Sequence, residues 1–190
     1  MLDQVVALHL RAFPGFFLSY LGARFLRDFY ASFVDDLDGV GLAAINENRV
    51  MIGVVVGPMI PRGFFGRLVR RRWWSLAVSC AAAAARKPSI TPRLVRGLTY
   101  RGDPPPGEGL ALLSSIAVAP EAQGSGVGKL LVESWLAGVR ERGGKGAYLT
   151  TDALHNDGVN GFYQRLGWRI ESSYLTREGR GMNRYVIGWS

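Results

Sequence analysis

Residues 110–135 read LALLSSIAVAPEAQGSGVGKLLVESW, and the rest of the chain is arranged around them. Leu110 to Val118 is an apolar run of aliphatic and β-branched residues that Ala119-Pro120 stops, which predicts a strand. A glycine-rich turn follows, Gln123-Gly124-Ser125-Gly126-Val127-Gly128-Lys129, and then an apolar segment long enough for a helix. Glycine at every second position lets consecutive backbone N–H groups turn inward at a helix start, where the positive end of the helix dipole suits a phosphate or pyrophosphate. A Walker loop is excluded, because Lys129 is followed by Leu130 and no hydroxyl remains for magnesium. A dinucleotide fingerprint fits poorly: the order is G-x-G-x-G, not G-x-G-x-x-G, and it comes late in the chain.

Around this stretch, 190 residues suit one domain, 1–190, with a substantial core and no evident linker or repeat. Lysine and arginine outnumber aspartate and glutamate by 23 to 15, a net charge of +8. Anionic ligands such as CoA, nucleotide-linked sugars or membrane lipids are therefore favoured electrostatically. Cys80 stands alone, which excludes an internal disulfide and fits a reducing compartment. No basic start followed by an apolar segment suggests secretion, so the cytoplasm is the expected location.

Met1 leads straight into a helical pattern, with Asp3 as cap and Val5, Leu8 and Ala12 on one face, ended by Phe13-Pro14-Gly15. Leu18, Leu21, Gly22, Phe25, Phe29 and Phe33 predict a second amphipathic helix, its outer face carrying Arg24, Arg27 and Asp28. Val40 to Ile45 and Val50 to Val56 read as a hairpin, with Gly57-Pro58 starting the exit. Residues 61–100 are an Arg-rich insertion, read as one helix from Phe64 to Ala85 and another from Thr91 to Leu98. Its apolar part, Trp73 to Ala85, spans 13 residues, too few for a bilayer core that needs about 20. The plain reading has Arg67, Arg70, Arg71 and Arg72 facing water and Trp73 and Trp74 packed on the sheet. Contact of residues 64–87 with an anionic membrane, or an edge of a nucleic-acid site, is the functional alternative. Pro104 to Pro106 form a rigid connector. Beyond the glycine turn, Gly143-Gly144 closes the helix and Gly146 to Thr151 is a strand. Asp157 to Leu166 is a short helix, and Trp168 to Tyr174 with Met182 to Trp189 closes the chain as a hairpin.

Two motifs together resemble the GNAT-type N-acetyltransferase family. Ile116-Ala117-Val118 leading into Gln123, Gly126 and Gly128 is similar to its acyl-CoA signature Q/R-x-x-G-x-G/A. Residues 156–168, NDGVNGFYQRLGW, resemble N-x-x-A-x-x-F-Y-x-x-x-G-F, matching at Asn156, Phe162, Tyr163 and Gly167, with Val159 and Trp168 as departures. The resemblance implies an α/β GNAT acyl-CoA N-acyltransferase fold, a mixed, mainly antiparallel central sheet flanked by helices. Against that plan the first strand is missing, and a helical insertion precedes the central strand. The loss would expose a sheet edge to be covered by another segment or by a second subunit in a homodimer.

The resemblance also implies acetyl-CoA as co-substrate. Gln123, Gly124, Ser125, Gly126, Val127, Gly128 and Lys129 would hold the pyrophosphate, and Ile116, Ala117 and Val118 the pantetheine. Tyr163 is the implied proton donor to the CoA thiolate, and Asn156 bonds the cofactor arm or caps the short helix. Phe13, Pro14 and Phe16, with Ser115, lie where the family forms its acceptor pocket.

Acetyl transfer needs a held donor, a neutral nucleophile, stabilisation of an oxyanion and a proton for the departing sulfur. A tyrosine of ordinary pKa, about 10, is protonated at neutral pH and can give that proton. The base is less evident, since Ser114 and Ser115 stand where many relatives place a glutamate. Asp152 at the end of the neighbouring strand, Glu108 just before the central strand and His155 are the candidates, and a base acting through water or an amine that binds already deprotonated would need none of them. His9 reads as a helix-face residue bordering the acceptor pocket. Two histidines and one cysteine form no metal-ligand cluster.

The functional expectation is an acetyl-CoA-dependent N-acetyltransferase acting on a small primary amine, with an anionic acceptor as one option. HLRAFPGFFLSYLG, residues 9–22, is similar to GNAT proteins found alongside polysaccharide-biosynthesis enzymes, which suggests an amino sugar. Acylation of a protein amine competes within the enzyme class. A degenerate CoA- or partner-binding domain and a nucleic-acid module, the latter resting on charge and Arg67 to Trp74, are the readings outside it.

Overall fold

The computed structural model describes residues 1–86, 109–176 and 179–189. In it the apolar run Leu110–Val118 is two strands rather than one. β1 (Gly39–Ile45), β2 (Met51–Pro58) and β4 (Ser115–Val118) form one sheet in the order β1-β2-β4. β3 (Leu110–Leu112), β5 (Gly146–Asp152), β6 (Arg169–Leu175) and β7 (Gly181–Gly188) form another in the order β3-β5-β7-β6. The change of partner falls between neighbouring residues: Leu113 N–H donates to the Tyr148 carbonyl at 2.9 Å, and Ser114 N–H to the Val56 carbonyl at 3.0 Å. Every strand pair is antiparallel except β3–β5, so the architecture is mixed and mainly antiparallel. At the divergence Gly57 stays within β2 instead of leaving it, and a Cβ there would lie 1.9 Å from the Leu112 carbonyl oxygen.

The helices cover this split sheet. α1 (Leu2–Ala12) buries Val5, Val6, Leu8 and His9. Met1, not Asp3, occupies its cap position, and Asp3 pairs with Arg27. The long second helix is broken into α2 (Phe17–Leu21) and α3 (Ala23–Asp35) at Gly22, whose φ of 88° and ψ of 172° only glycine adopts readily. Asp28, expected on the outer face, is buried beneath α4 (Phe64–Arg86). α5 (Val127–Glu141) turns Leu131, Val132, Trp135 and Val139 into the sheet, and Trp135 Nε1–H donates to the Val40 carbonyl at 3.2 Å. α6 (Asp157–Arg165) follows β5. The described residues before Gly39 are helical or turns, which leaves β1 as the last strand at its end of the sheet.

The arginine-rich helix departs from its expected reading at two of the four arginines between 67 and 72 and at both tryptophans. Arg67 binds Asp36 at 2.8 Å and Asp38 at 2.5 Å, Arg72 binds Asp28 at 2.8 Å and Asp35 at 2.5 Å, and Arg71 reaches Asp36 at 3.5 Å. Arg67 and Arg72 fasten α4 to α3 and the turn after it instead of facing water, while Arg70 and Arg71 are exposed. Trp73 and Trp74 stack on each other at 3.8 Å and are 51% and 68% exposed, so they do not pack on the sheet. α4 also bends at Arg72, which has non-helical φ and ψ of −125° and 22°. No described helix is long and apolar enough to cross a membrane. The expected helix Thr91–Leu98, the Pro104–Pro106 connector and Glu108 lie outside the described residues.

Candidate functional site

Where β3 and β4 part, β4 loses a strand neighbour on one side and the C-terminal half of β5 loses one on the facing side. A cavity of about 1050 Å³ opens there, lined by Ser115, Ile116 and Val118 from one strand and Leu149, Thr150 and Asp152 from the other. A strand edge without a partner presents backbone donors and acceptors to any extended ligand laid along it.

One end of the cavity is the glycine turn, where Gln123, Gly124, Gly126, Gly128 and Lys129 line the wall. Gly124 and Gly126 have φ of 78° and 88°, and a Cβ on either would meet nothing within 4 Å. The turn is therefore an open cradle, and Gly126 caps α5 in the left-handed conformation with no side-chain capping bond. The first N–H groups of α5 have no partner within the helix and lie at its positive end. Ser125 turns away, its hydroxyl donating to the Ala122 carbonyl at 2.7 Å, and Val127 packs into the core with Leu131 and Val118. Ala117 also points into the core rather than the cavity, at 1% exposure.

At the other end stand His9, Phe13, Phe16 and Leu18, from α1, α2 and the loop between them. Phe13 and Phe16 lie 5.7 Å apart, centroid to centroid, and Pro14 between them is not in the wall. His9 is buried, with Nδ1 2.8 Å from the Tyr30 hydroxyl, which is 3.3 Å from Ser115 Oγ. Burial lowers the imidazole pKa from 6.5 to about 4 and pushes the Tyr30 phenol up to about 12. Both groups are neutral across the physiological range.

Along the third side Tyr163 lies 5% exposed between Phe162 and Trp168, and burial pushes its hydroxyl well above the usual phenol value. Asn156 lines the cavity but does not cap α6 with its side chain; its amide donates back to Thr151 Oγ1 at 2.8 Å and the Asp152 carbonyl at 3.3 Å. Asp152 is in the wall, and both of its oxygens accept from Arg180. His155 is exposed with a φ of 55° and does not line the cavity. Two contributors were not singled out from the sequence. Tyr30 bridges α1 to β4, and Asn160 ties α6 to its neighbours by donating to the Asp152 carbonyl at 2.9 Å and accepting from Tyr185 at 3.0 Å. No local pattern marks either, because their partners are distant in sequence.

Residues 2–168 match the profile of the acetyltransferase (GNAT) family. The chain belongs to this family. No curated protein matches it in sequence. Among solved structures it is similar to SsHAT, at 20% identity over 97% of this chain and 93% of that one, with a TM-score of 0.65. An aminoglycoside 6'-N-acetyltransferase complexed with coenzyme A gives 14%, 98%, 89% and 0.61 in the same order. The ribosomal-protein-S18-alanine N-acetyltransferase from Escherichia coli gives 16%, 99%, 88% and 0.56. At these identities the likeness carries the fold.

As a GNAT enzyme the protein is an acetyltransferase with acetyl-CoA as co-substrate, and its own residues fit that donor. The cradle at Gly124 and Gly126 leaves room for a pyrophosphate against the start of α5, and the open edge of β4 leaves room for an extended arm. Lys129 and Arg165 supply positive charge in the wall near the ends of α5 and α6. No group of three or more histidine, cysteine, aspartate or glutamate residues suited to a metal occurs among the described residues.

Proposed function

We propose that this GNAT enzyme moves the acetyl group of acetyl-CoA to the primary amine of a small molecule of the amino-sugar class, by direct attack within a ternary complex in the cytoplasm. The observation that carries this reading is the single continuous cavity, with a glycine cradle at one end and an aromatic-walled pocket at the other. Donor and acceptor can thus meet at the β4 edge without an intermediate carrier. Cys80 sits on α4 in a cluster with Leu21 and Ala83, outside the cavity wall, so it is no acyl relay.

In this reading the backbone N–H of Ile116 faces the thioester oxygen and stabilises the charge that develops there. The amine nitrogen bonds to the carbonyl carbon, the carbon–sulfur bond breaks, and the Tyr163 hydroxyl gives its proton to the departing sulfur; the proton that the nitrogen sheds on becoming an amide returns through water to the Tyr163 phenolate. The buried phenol stays protonated at every working pH, so its proton is in place when the sulfur departs. Asp152 is the one carboxylate in the described wall. With both oxygens engaged by Arg180, it orients the amine instead of deprotonating it, and the acceptor binds as the free amine.

The test is calorimetric titration with acetyl-CoA and CoA, followed by thiol release with a panel of amines. Saturable binding in the wild type, lost in Gly126→Trp, is expected, because the new side chain would fill the cradle. A folded wild type that binds CoA yet releases no thiol with any amine would mean a CoA-binding domain without turnover.

A further inference from the structure

The acceptor end of the cavity holds polar atoms that the chemistry above does not use. His9 lines the cavity and is 1% exposed; its Nδ1 is engaged by Tyr30, and its Nε2 is buried without a hydrogen-bond partner. Ser114, at the break between β3 and β4, also lines the cavity, and its Oγ is likewise buried and unpartnered. A buried polar atom left unpaired is destabilising unless a ligand meets it. A phenol donates more readily than it accepts, so Tyr30 Oη–H is assigned as donor to Nδ1, which places the proton of the neutral ring on Nε2. His9 therefore offers a fixed N–H to the acceptor pocket, and Ser114 offers a hydroxyl.

The neighbouring wall decides the charge of the ligand group. His9, Ala12, Phe13, Phe16 and Leu18 carry no ionised side chain, since burial keeps His9 neutral, while Lys129 and Arg165 stand with α5 and α6. A carboxylate or second ammonium placed here would lack a counter-ion among the described residues. An uncharged hydroxyl suits either atom, accepting from Nε2–H or donating to Ser114 Oγ. The run of mutually tilted rings His9, Phe13 and Phe16, with centroids 4.9 Å and 5.7 Å apart, suits the apolar face of a ring.

We propose that His9 and Ser114 read a hydroxyl on a ring-shaped amine, so that the acceptor is a neutral hydroxylated cyclic monoamine rather than a polycation or an amino acid. This rests on the acetyltransferase reading and adds the property by which the enzyme chooses its amine. The ring nitrogen acts as an acceptor-binding group, and the Tyr30–Ser115 hydrogen bonds hold it in place.

The experiment compares kcat/KM for glucosamine, 2-aminocyclohexanol and 4-aminocyclohexanol with that for cyclohexylamine, using thiol release from acetyl-CoA. The wild type should favour the best hydroxylated ring by about tenfold or more. His9→Leu should remove that preference while leaving the KM for acetyl-CoA unchanged, and His9→Gln, which returns a donor near Nε2, should restore part of it. If His9→Leu does not fold, Ser114→Ala carries the test, and an unaltered preference in it overturns the proposal. Equal rates for hydroxylated and plain rings in the wild type, or an equal loss on both in His9→Leu, also overturn it while leaving the acetyltransferase reading intact. Failure of every amine overturns the two together.

Discussion

Tyr163 has a buried ring and a hydroxyl with no side-chain partner among the described residues, facing a cavity. Such a hydroxyl contributes little to folding, so its removal separates chemistry from stability. Tyr163→Phe is expected to lower kcat by about 10²-fold while leaving the KM for acetyl-CoA and the melting temperature nearly unchanged, as read by thiol release and calorimetry. His9 has the opposite balance. Its imidazole pKa is 6.5 unfolded and about 4 folded, so between those values the unfolded chain binds the proton first. The stability it contributes is complete above pH 6.5 and is lost as pH falls toward 4, about 3 kcal/mol in all. Tyr30, which faces the ring, stays neutral throughout this window, and Asp36, held down by Arg67, loses its contribution only below the ordinary carboxylate value of 3.8. Urea unfolding of the wild type should therefore weaken between pH 6.5 and 4.5, and His9→Leu should flatten that slope.

At the scale of elements, α4 is held by charge as much as by apolar contact. Asp28 accepts from Arg72 and from Ser75, both on α4, and is itself 6% exposed. Asp28→Ala should lower stability by about 2 kcal/mol in thermal unfolding, because it removes one of the two carboxylates on the half-buried Arg72 guanidinium and the acceptor of the Ser75 hydroxyl, and should leave acetyl-CoA binding unaltered. Gly22→Ala should cost about 1–2 kcal/mol, since any side chain is strained at that backbone angle. Helical spacing from Leu18 to Phe33 runs in phase across Gly22, so periodicity alone reads one helix where a single backbone angle makes two. Likewise a run of arginines reads as a solvated face until the aspartates at 28, 35, 36 and 38 are seen opposite it. Neither the backbone angle nor the facing carboxylates show in the spacing of the residues, so neither was legible.

For the whole molecule, the net charge of +8 and the cationic side chains Lys129 and Arg165 in the wall favour a polyanionic donor. The Kd for CoA should rise several-fold between low and high salt in calorimetry, roughly as the Debye length falls from ~10 Å at 0.1 M to ~3 Å at 1 M. Gly126→Trp at low salt should remain unable to bind, which separates steering from the cradle itself. The glycine cradle, the Asn156–Trp168 motif with Tyr163, and the family were determined by the sequence, because a nest at a helix start and a residue's place on a short helix are set by spacings within a dozen residues. The sequence did not determine that Leu110–Val118 divides between Leu113 and Ser114, that Asp28 is buried, or that His9, Tyr30 and Ser115 form one line. Those links join residues 21 and 85 positions apart, and their existence depends on which segments the core brings into register. Hydrogen-bond partners across a fold are chosen by packing, and only the tertiary structure decides them.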